Sequence, residues 1–365
     1  MLPPVNPADW GAVSQKTGLP PQGRCGPEAG HSPQLAKADP VGRSRQARTK
    51  ILDTLVDIPG DTASDAGSTP AASTKPNSVL NMRQDFDPIA FKETTRLQWQ
   101  NAAAAWHRWT PTLQAWLGPV TDAMLDLAML ERGDQVLDLA AGAGEPSLSA
   151  AQMVGPSGHV LATDISSKIL EFAQQTARER GLTNFETRVM DGENPDQPDA
   201  SFTAVLSRLG LIYFPDRAGA LRGARRVLRS GGRVVLAGFT TPDRNRFFSI
   251  PISIIRRRAS LPPPAPGLPG PFSLGAPGVM EAALKEAGFA DVQTRTLQPL
   301  LKLKSAAECV NFERESFGAL QQMLAGLPPT EQAAAWDEIQ KELQVFEAGG
   351  AFEAPTELVV GAGTK

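Results

Sequence analysis

The sequence predicts an α/β fold: a doubly wound, mostly parallel sheet of seven strands, with a helical N-terminal cap and a helical insertion before the last strand. Two observations predict it. From Gln135 to Gly238 short apolar runs alternate with stretches of helical periodicity, and strands joined by helices give a parallel sheet with right-handed crossovers. The first apolar run also ends in a glycine-rich turn that leads directly into a helix, as at the carboxyl edge of open α/β sheets.

Up to about Asn81 the chain is dominated by Pro, Gly, Ser, Ala, Thr and Asp. Such a stretch cannot bury enough apolar surface to offset its ordering entropy. Residues 1–82 therefore read either as a disordered extension, with a transient helix at Ile51–Ile58, or as a miscalled start with translation beginning at Met82. Residues 83–134 read as a helical cap. From Phe91 onward Trp99, Ala102, Ala103, Trp106 and Trp109 recur on one face, Thr110-Pro111 reads as an N-cap with proline at N1, and a second helix runs to Leu130.

Strands are expected at Gln135–Leu139, His159–Thr163, Phe185–Met190, Phe202–Leu206 and Arg233–Gly238. Helices are expected between them at Pro146–Val154, Ser167–Arg180 and Asp216–Leu228, the last stopped by Ser230-Gly231-Gly232. Thr240 to Pro277 is proline-rich and reads as a long loop flanking a short apolar helix. A helix at Val279–Ala287 and a strand at Val292–Leu297 bring the central domain, residues 135–300, to its end. Residues 301–365 read as a helical insertion from Ser305 to about Phe346, then a strand near Glu357–Val360 that completes the sheet.

Composition narrows the function. With 41% hydrophobic and 21% charged residues a globular core is feasible, and a net charge of -3 gives no electrostatic case for nucleic acid. Cys25 and Cys309 lie in unrelated contexts and, with three histidines, make neither a disulfide framework nor a zinc site, so no metal is expected. The chain opens Met1-Leu-Pro-Pro without a secretory pattern, and no apolar run reaches the ~18 residues of a membrane helix. A cytoplasmic protein acting on a small molecule is the expectation.

The informative segment is Val136-Leu-Asp-Leu-Ala-Ala-Gly-Ala-Gly-Glu-Pro-Ser147. Small residues at Ala140, Gly142 and Gly144 let the backbone approach a ligand closely. Asp164 ends the second strand about 20 residues on, where a carboxylate accepts from the hydroxyls of a ribose. Asp191 ends the third, in Val189-Met-Asp-Gly192, placed to accept from an adenine amino group. Ser207 and Arg208 end the fourth. Acids on successive strand ends point to a nucleoside. A dinucleotide is disfavoured, because its pyrophosphate needs free N–H groups and positive dipole at the helix start, where this chain has the anion Glu145 and the imino acid Pro146.

The glycine-loop segment resembles the first motif of class I S-adenosylmethionine-dependent methyltransferases, most closely the ubiquinone/menaquinone-biosynthesis type, where alanine at 140 and an acid at 145 are usual. Ala204-Val-Leu-Ser-Arg-Leu-Gly-Leu-Ile-Tyr-Phe-Pro-Asp216 resembles that family's fourth-strand motif, and Ala224-Arg-Arg-Val-Leu-Arg-Ser-Gly-Gly-Arg-Val-Val-Leu236 the motif around its fifth strand. The similarity covers roughly Trp99 to Phe239. It implies a Rossmann-like fold, S-adenosyl-L-methionine as cofactor, and methyl transfer to a small acceptor at carbon or oxygen. It places the methionine end at Asp138, Gly142 and Gly144, the ribose at Asp164, and the adenine at Met190 and Asp191, with Ala140, Ile165, Gly192 and Ser207 in the same site. The Thr240–Pro277 loop and the Ser305–Phe346 insertion depart from the minimal quinone enzymes and point to a different acceptor.

A sulfonium donor is already activated, so positioning and water exclusion suffice and no base need be evident. The candidates for a base or orienting group are His107, on the aromatic helix that covers the cofactor in this family, Arg208 and Tyr213. Phe247, Phe248, Ile250, Ile252, Ile254 and Ile255, with the N-terminal helix, are expected to roof a pocket for an apolar or aromatic acceptor. Two other readings are an NAD(P)-dependent oxidoreductase and a non-catalytic protein that binds S-adenosylmethionine.

Overall fold

A computed structural model describes residues 86–365, Pro266 excepted. Both readings of residues 1–82, and the Ile51–Ile58 helix, lie outside the described residues.

The apolar runs pair in the expected order, but the fifth strand starts at Leu228, so Ser230-Gly231-Gly232, expected to stop the preceding helix, lie inside that strand. β1 (Gln135–Leu139), β2 (His159–Asp164), β3 (Phe185–Val189), β4 (Phe202–Arg208) and β5 (Leu228–Phe239) form a parallel sheet. Two later strands, β6 (Ala290–Leu297) and β10 (Leu358–Thr364), complete seven in the order β3-β2-β1-β4-β5-β10-β6. β10 is antiparallel to both neighbours. The central strands are nearly continuous runs of Val, Leu and Ala because helices cover both faces, and Val136, Leu137, Ala204, Val205, Val234 and Val235 are fully or almost fully buried.

Between the strands lie α3 (Ser147–Val154), α4 (Ser167–Glu179) and α5 (Arg217–Val227). The Ser166 hydroxyl accepts from the Ile169 N–H at the start of α4, and the Asp216 carboxylate accepts from the Gly219 N–H at the start of α5. The order of winding reverses between β1 and β4, which opens a crevice at their carboxyl ends.

Two helices precede the sheet. α1 (Pro88–Arg108) starts with Asp87 accepting from the N–H groups of Ile89 and Ala90, and α2 (Thr110–Ala128) follows after one residue. α2 buries Leu113, Trp116, Leu117, Val120 and Met124 against the sheet, and the Trp116 indole donates to Thr356 Oγ1 at 2.9 Å.

The proline-rich stretch after β5 holds a longer helix than its sequence suggests. α6 (Arg246–Arg258) spans 13 residues with Pro251 inside it, and α7 (Val279–Glu286) follows. The insertion is not purely helical. α8 (Ala306–Ser316), α9 (Gly318–Leu324) and α10 (Pro329–Leu343) are flanked by β7 (Leu300–Leu303), β8 (Glu347–Ala348) and β9 (Ala351–Pro355). These strands form a second sheet in the order β7-β9-β8. Its strands have two to five residues; β7 pairs with β9 across a gap of more than 40 residues, while β8 and β9 form a short hairpin about Gly349-Gly350. No helix among the described residues is long and apolar enough to cross a membrane.

Candidate functional site

A cleft of about 1230 Å³, open mouth included, lies over the carboxyl ends of β1 to β5 and beneath α1 and α2. Its floor is the glycine turn. Ala140 leaves β1 with a left-handed backbone (φ 60°), and Gly142 (φ 57°) and Gly144 (φ 119°) follow, bending the chain away from the strand axis. At β4, Leu209 is also left-handed (φ 63°). The strand ends touch so closely that a Cβ on Gly210 would meet the Ala140 Cβ at 2.5 Å. Two non-glycine residues in this conformation at the same sheet edge mark a site where the packing imposes strain.

The acids of the floor differ in their surroundings. Asp164 is buried; its carboxylate accepts from the Gly142 N–H at 3.1 Å and the Ser166 N–H at 2.9 Å, so it braces the glycine turn. Burial pushes its pKa up to about 6, with the Ser166, Gly142 and Ile165 N–H groups pulling the other way. Asp191 is exposed and takes Lys92 Nζ from α1 at 2.7 Å; Lys92 also pairs with Glu193. Gly192 beside it is needed for space, since a Cβ there would meet the Phe214 ring at 2.6 Å. Asp138 is fully buried below the cleft and is not part of its lining. Its Oδ2 accepts from the Ser147 hydroxyl at 2.5 Å, and its Oδ1 has no hydrogen-bond partner among the described residues. Burial lifts its pKa to about 7, opposed by Ser147 and the nearby Arg208.

Above the floor stands an aromatic wall. Trp99 meets Tyr213 edge-on at 6.1 Å and Trp106 at 5.2 Å, and Trp106 in turn meets Phe317 at 5.9 Å. Leu113 and Leu117 of α2 and Phe239 at the end of β5 continue the apolar surface. Arg208 enters between wall and floor, its Nη1 donating to Thr121 Oγ1 at 2.7 Å.

Ala140, Gly142, Gly144, Asp164, Ile165, Met190, Asp191 and Gly192 all line this one cleft, as do Arg208 and Tyr213. Three expected site residues do not: Asp138, buried below the turn, and Ser207 and His107. Ser207 turns into the sheet, where its hydroxyl donates to the Leu139 carbonyl at 2.8 Å and ties β4 to β1. His107 lies outside the cleft, stacked on Phe172 at 4.5 Å, its Nδ1 buried and without a hydrogen-bond partner among the described residues. The expected roof is also different. Phe247, Phe248, Ile252, Ile254 and Ile255 are at most 5% exposed and, with Ile250, pack into the hydrophobic core; none reaches the cleft.

Residues 136–232 match the model of a methyltransferase domain family. The chain is 30% identical over 254 residues to nocamycin O-methyltransferase of Saccharothrix syringae, a match covering 67% of this chain and 90% of that protein. The chain belongs to the class I S-adenosylmethionine-dependent methyltransferases. This methyltransferase is also 37% identical to aklanonic acid methyltransferase DauC of Streptomyces sp. strain C5, and 34% identical to the ubiquinone/menaquinone biosynthesis C-methyltransferase of Azotobacter vinelandii. Those two matches take in 34% and 33% of this chain and 55% and 47% of the relatives, so the chain spans about half the length of each.

Its cofactor is S-adenosylmethionine, and its activity is methyl transfer to a small acceptor. The floor suits that cofactor. A glycine turn open to the cleft, a buried carboxylate at the end of β2 and an anion rather than free N–H groups at the start of α3 favour a nucleoside without phosphate. Glu145 is already used: its carboxylate pairs with Arg180 at 2.9 Å and accepts from the Ser149 hydroxyl at 2.7 Å. Phe317, Leu209, Leu113, Leu117 and Lys92 also line the methyltransferase's cleft and were not among the residues expected there. Leu113 and Leu117 show only as a helical i, i+4 apolar pair, and nothing local to Phe317 distinguishes it from core.

Proposed function

We propose that S-adenosylmethionine lies across the ends of β1 to β3 and that its methyl group passes to an apolar or aromatic acceptor held against the Trp99–Trp106–Phe317 wall. The observation that carries this reading is the juxtaposition, in one cleft, of a glycine-and-carboxylate floor and an aromatic wall.

On this reading the turn at Ala140, Gly142 and Gly144 receives the methionine end. Asp164 takes the ribose hydroxyls, Ile165 and Met190 pack on the base, and Asp191 with Gly192 meets the adenine edge. Asp138 acts from below the turn through its negative field. Bound S-adenosylmethionine supplies a methyl group on positively charged sulfur, an electrophile the protein need not activate. The chain's own contribution is to fix the line of approach and keep water out, which the wall does. Residues 83–134 then serve as the cap, 135–300 as the cofactor-binding domain, and 301–365 contribute Phe317 and the strand that completes the sheet. The named relatives include an O- and a C-methyltransferase, so the methylated atom is decided by the acceptor's chemistry and not by the fold.

The test is calorimetric titration with S-adenosylmethionine, followed by transfer of labelled methyl to a panel of hydrophobic phenols and quinols and of polar amines. Saturable cofactor binding with methylation of the apolar set is expected. Methylation confined to the polar set would overturn the acceptor reading.

A further inference from the structure

The parts of the cleft that face the glycine turn are chemically one-sided. α1, α2, the ends of β4 and β5, and the corner between α8 and α9 contribute two cations to the lining, Lys92 and Arg208, and no carboxylate, histidine or cysteine. Lys92 is spent on Asp191 and Glu193. Arg208 is not. One of its nitrogens donates to Thr121, and the others have no hydrogen-bond partner among the described residues.

The two acids nearest Arg208, Glu145 and Asp138, favour its charge, but neither hydrogen-bonds to it among the described residues. Glu145 is paired with Arg180. Asp138 lies below the turn with its Oδ2 taken by the Ser147 hydroxyl, and it makes no hydrogen bond to Arg208 among the described residues. A guanidinium stays protonated even where burial disfavours its charge. The cleft therefore presents a half-buried cation with donors left for a ligand beside an apolar wall, where an oxyanion gains charge-assisted hydrogen bonds.

From this we propose that the acceptor is an apolar molecule whose acidic hydroxyl, carboxylic or enolic or phenolic, docks already ionised, its oxyanion received by Arg208. The proposal rests on the reading of the cleft above and adds the acceptor's charge. It also accounts for the missing base. An ionised oxygen, or the carbon conjugated to it, attacks the methyl carbon with its own electron pair as the carbon–sulfur bond breaks toward sulfur. Attack by oxygen gives an ester or ether and a neutral thioether with no proton to remove. Attack by carbon leaves one proton on that carbon, which its carbonyl acidifies enough for water to take. Arg208 is thus a specificity-determining residue, and it would equally reject a neutral amine or alcohol by leaving its own charge desolvated and unanswered.

The experiment uses the full chain saturated with S-adenosylhomocysteine and follows tryptophan fluorescence, since Trp99 and Trp106 border the cleft. The probes are 2-naphthoate, 2-naphthol and the neutral isostere 2-naphthamide. We expect 2-naphthoate to bind at least ten-fold more tightly than 2-naphthamide, and 2-naphthol to tighten as pH rises through its own ionisation. In Arg208→Gln that preference should vanish while the affinity for S-adenosylhomocysteine changes less than about two-fold, and Arg208→Lys should restore part of it. Equal binding of naphthoate and naphthamide, or no saturable naphthoate binding, overturns the proposal. So does a ten-fold or greater loss of S-adenosylhomocysteine affinity in a folded Arg208→Gln, which would give the arginine to the cofactor's carboxylate. Failure of the wild-type chain to bind S-adenosylhomocysteine would instead bring down the placement of the cofactor.

Discussion

The floor of the cleft and its aromatic wall face one another across the same space, yet their residues are placed by different physics. The floor is local: each of its groups sits at the end of a parallel strand, and the backbone that builds the strand also aims the group. Asp164 is held by N–H groups no more than 22 residues away in sequence. The wall is assembled from afar. Trp99, Tyr213 and Phe317 come from α1, from the turn after β4 and from the corner before α9, and only tertiary packing brings them together. The floor is thus fitted to an invariant ligand and the wall to whatever acceptor the chain serves.

The most severe test of that division is Asp164→Ala. Loss of charge-assisted hydrogen bonds worth roughly 1.5–3 kcal/mol should weaken S-adenosylhomocysteine binding by about 10- to 100-fold in calorimetry. Melting temperature should fall too, because Gly142 and Ser166 lose their acceptor. Near-normal affinity would remove the carboxylate from the cofactor site. On the wall, Phe317→Leu keeps most of the volume and loses the ring face; the acceptor KM should rise several-fold to about ten-fold with the cofactor Kd unmoved. If both constants worsened together, the division between floor and wall would be wrong.

A smaller effect concerns pH. Asp138 and Asp164 have pKa values raised to about 7 and about 6, so between the ordinary carboxylate range and pH 7 the folded protein holds more protons than the unfolded chain. Their contribution to stability therefore falls as pH rises through that window. Asp138→Asn should abolish its part of the fall, read as a flatter melting temperature between pH 5 and 7.5. A cationic cofactor favours the ionised acids, so binding at pH 6.5 should release protons and tighten toward pH 7.5. Titrations in two buffers of different ionisation enthalpy measure this, and proton uptake would contradict it. Least affected should be His107→Gln, which removes an aromatic stack worth about 0.5–1.5 kcal/mol outside the cleft. Turnover should stay within about two-fold; a hundred-fold loss would restore His107 as a base.

This contrast also explains what could be read from the chain alone. Asp164, Asp191 and the glycines were legible because strand, turn and helix follow one another within a few residues. Ser207 was misjudged because sequence places it at the right strand end but does not tell which face of the sheet its hydroxyl chooses; the Leu139 carbonyl takes it. The α6 residues Phe247 to Ile255 were misjudged because an apolar helical face looks alike whether it lines a cavity or fills a core. Here Phe248 packs on Phe317 at 4.6 Å and backs the wall without reaching the ligand space. Cys309, expected to belong to neither a disulfide framework nor a zinc site, is a buried core residue of α8 whose pKa is raised by burial.

The place of β10 has a consequence for how the molecule is made. It lies between β5 and β6, with Leu358 opposite both Phe239 and Leu297. As the polypeptide emerges from a ribosome, β1 to β5 can associate in turn, but β6 finds no strand to dock against until some 60 further residues have been added. For that interval the flank of β5 is an unpaired edge, open to pairing with other nascent chains. Premature release between Leu297 and Leu358 should therefore yield a product that aggregates rather than one that merely lacks its end.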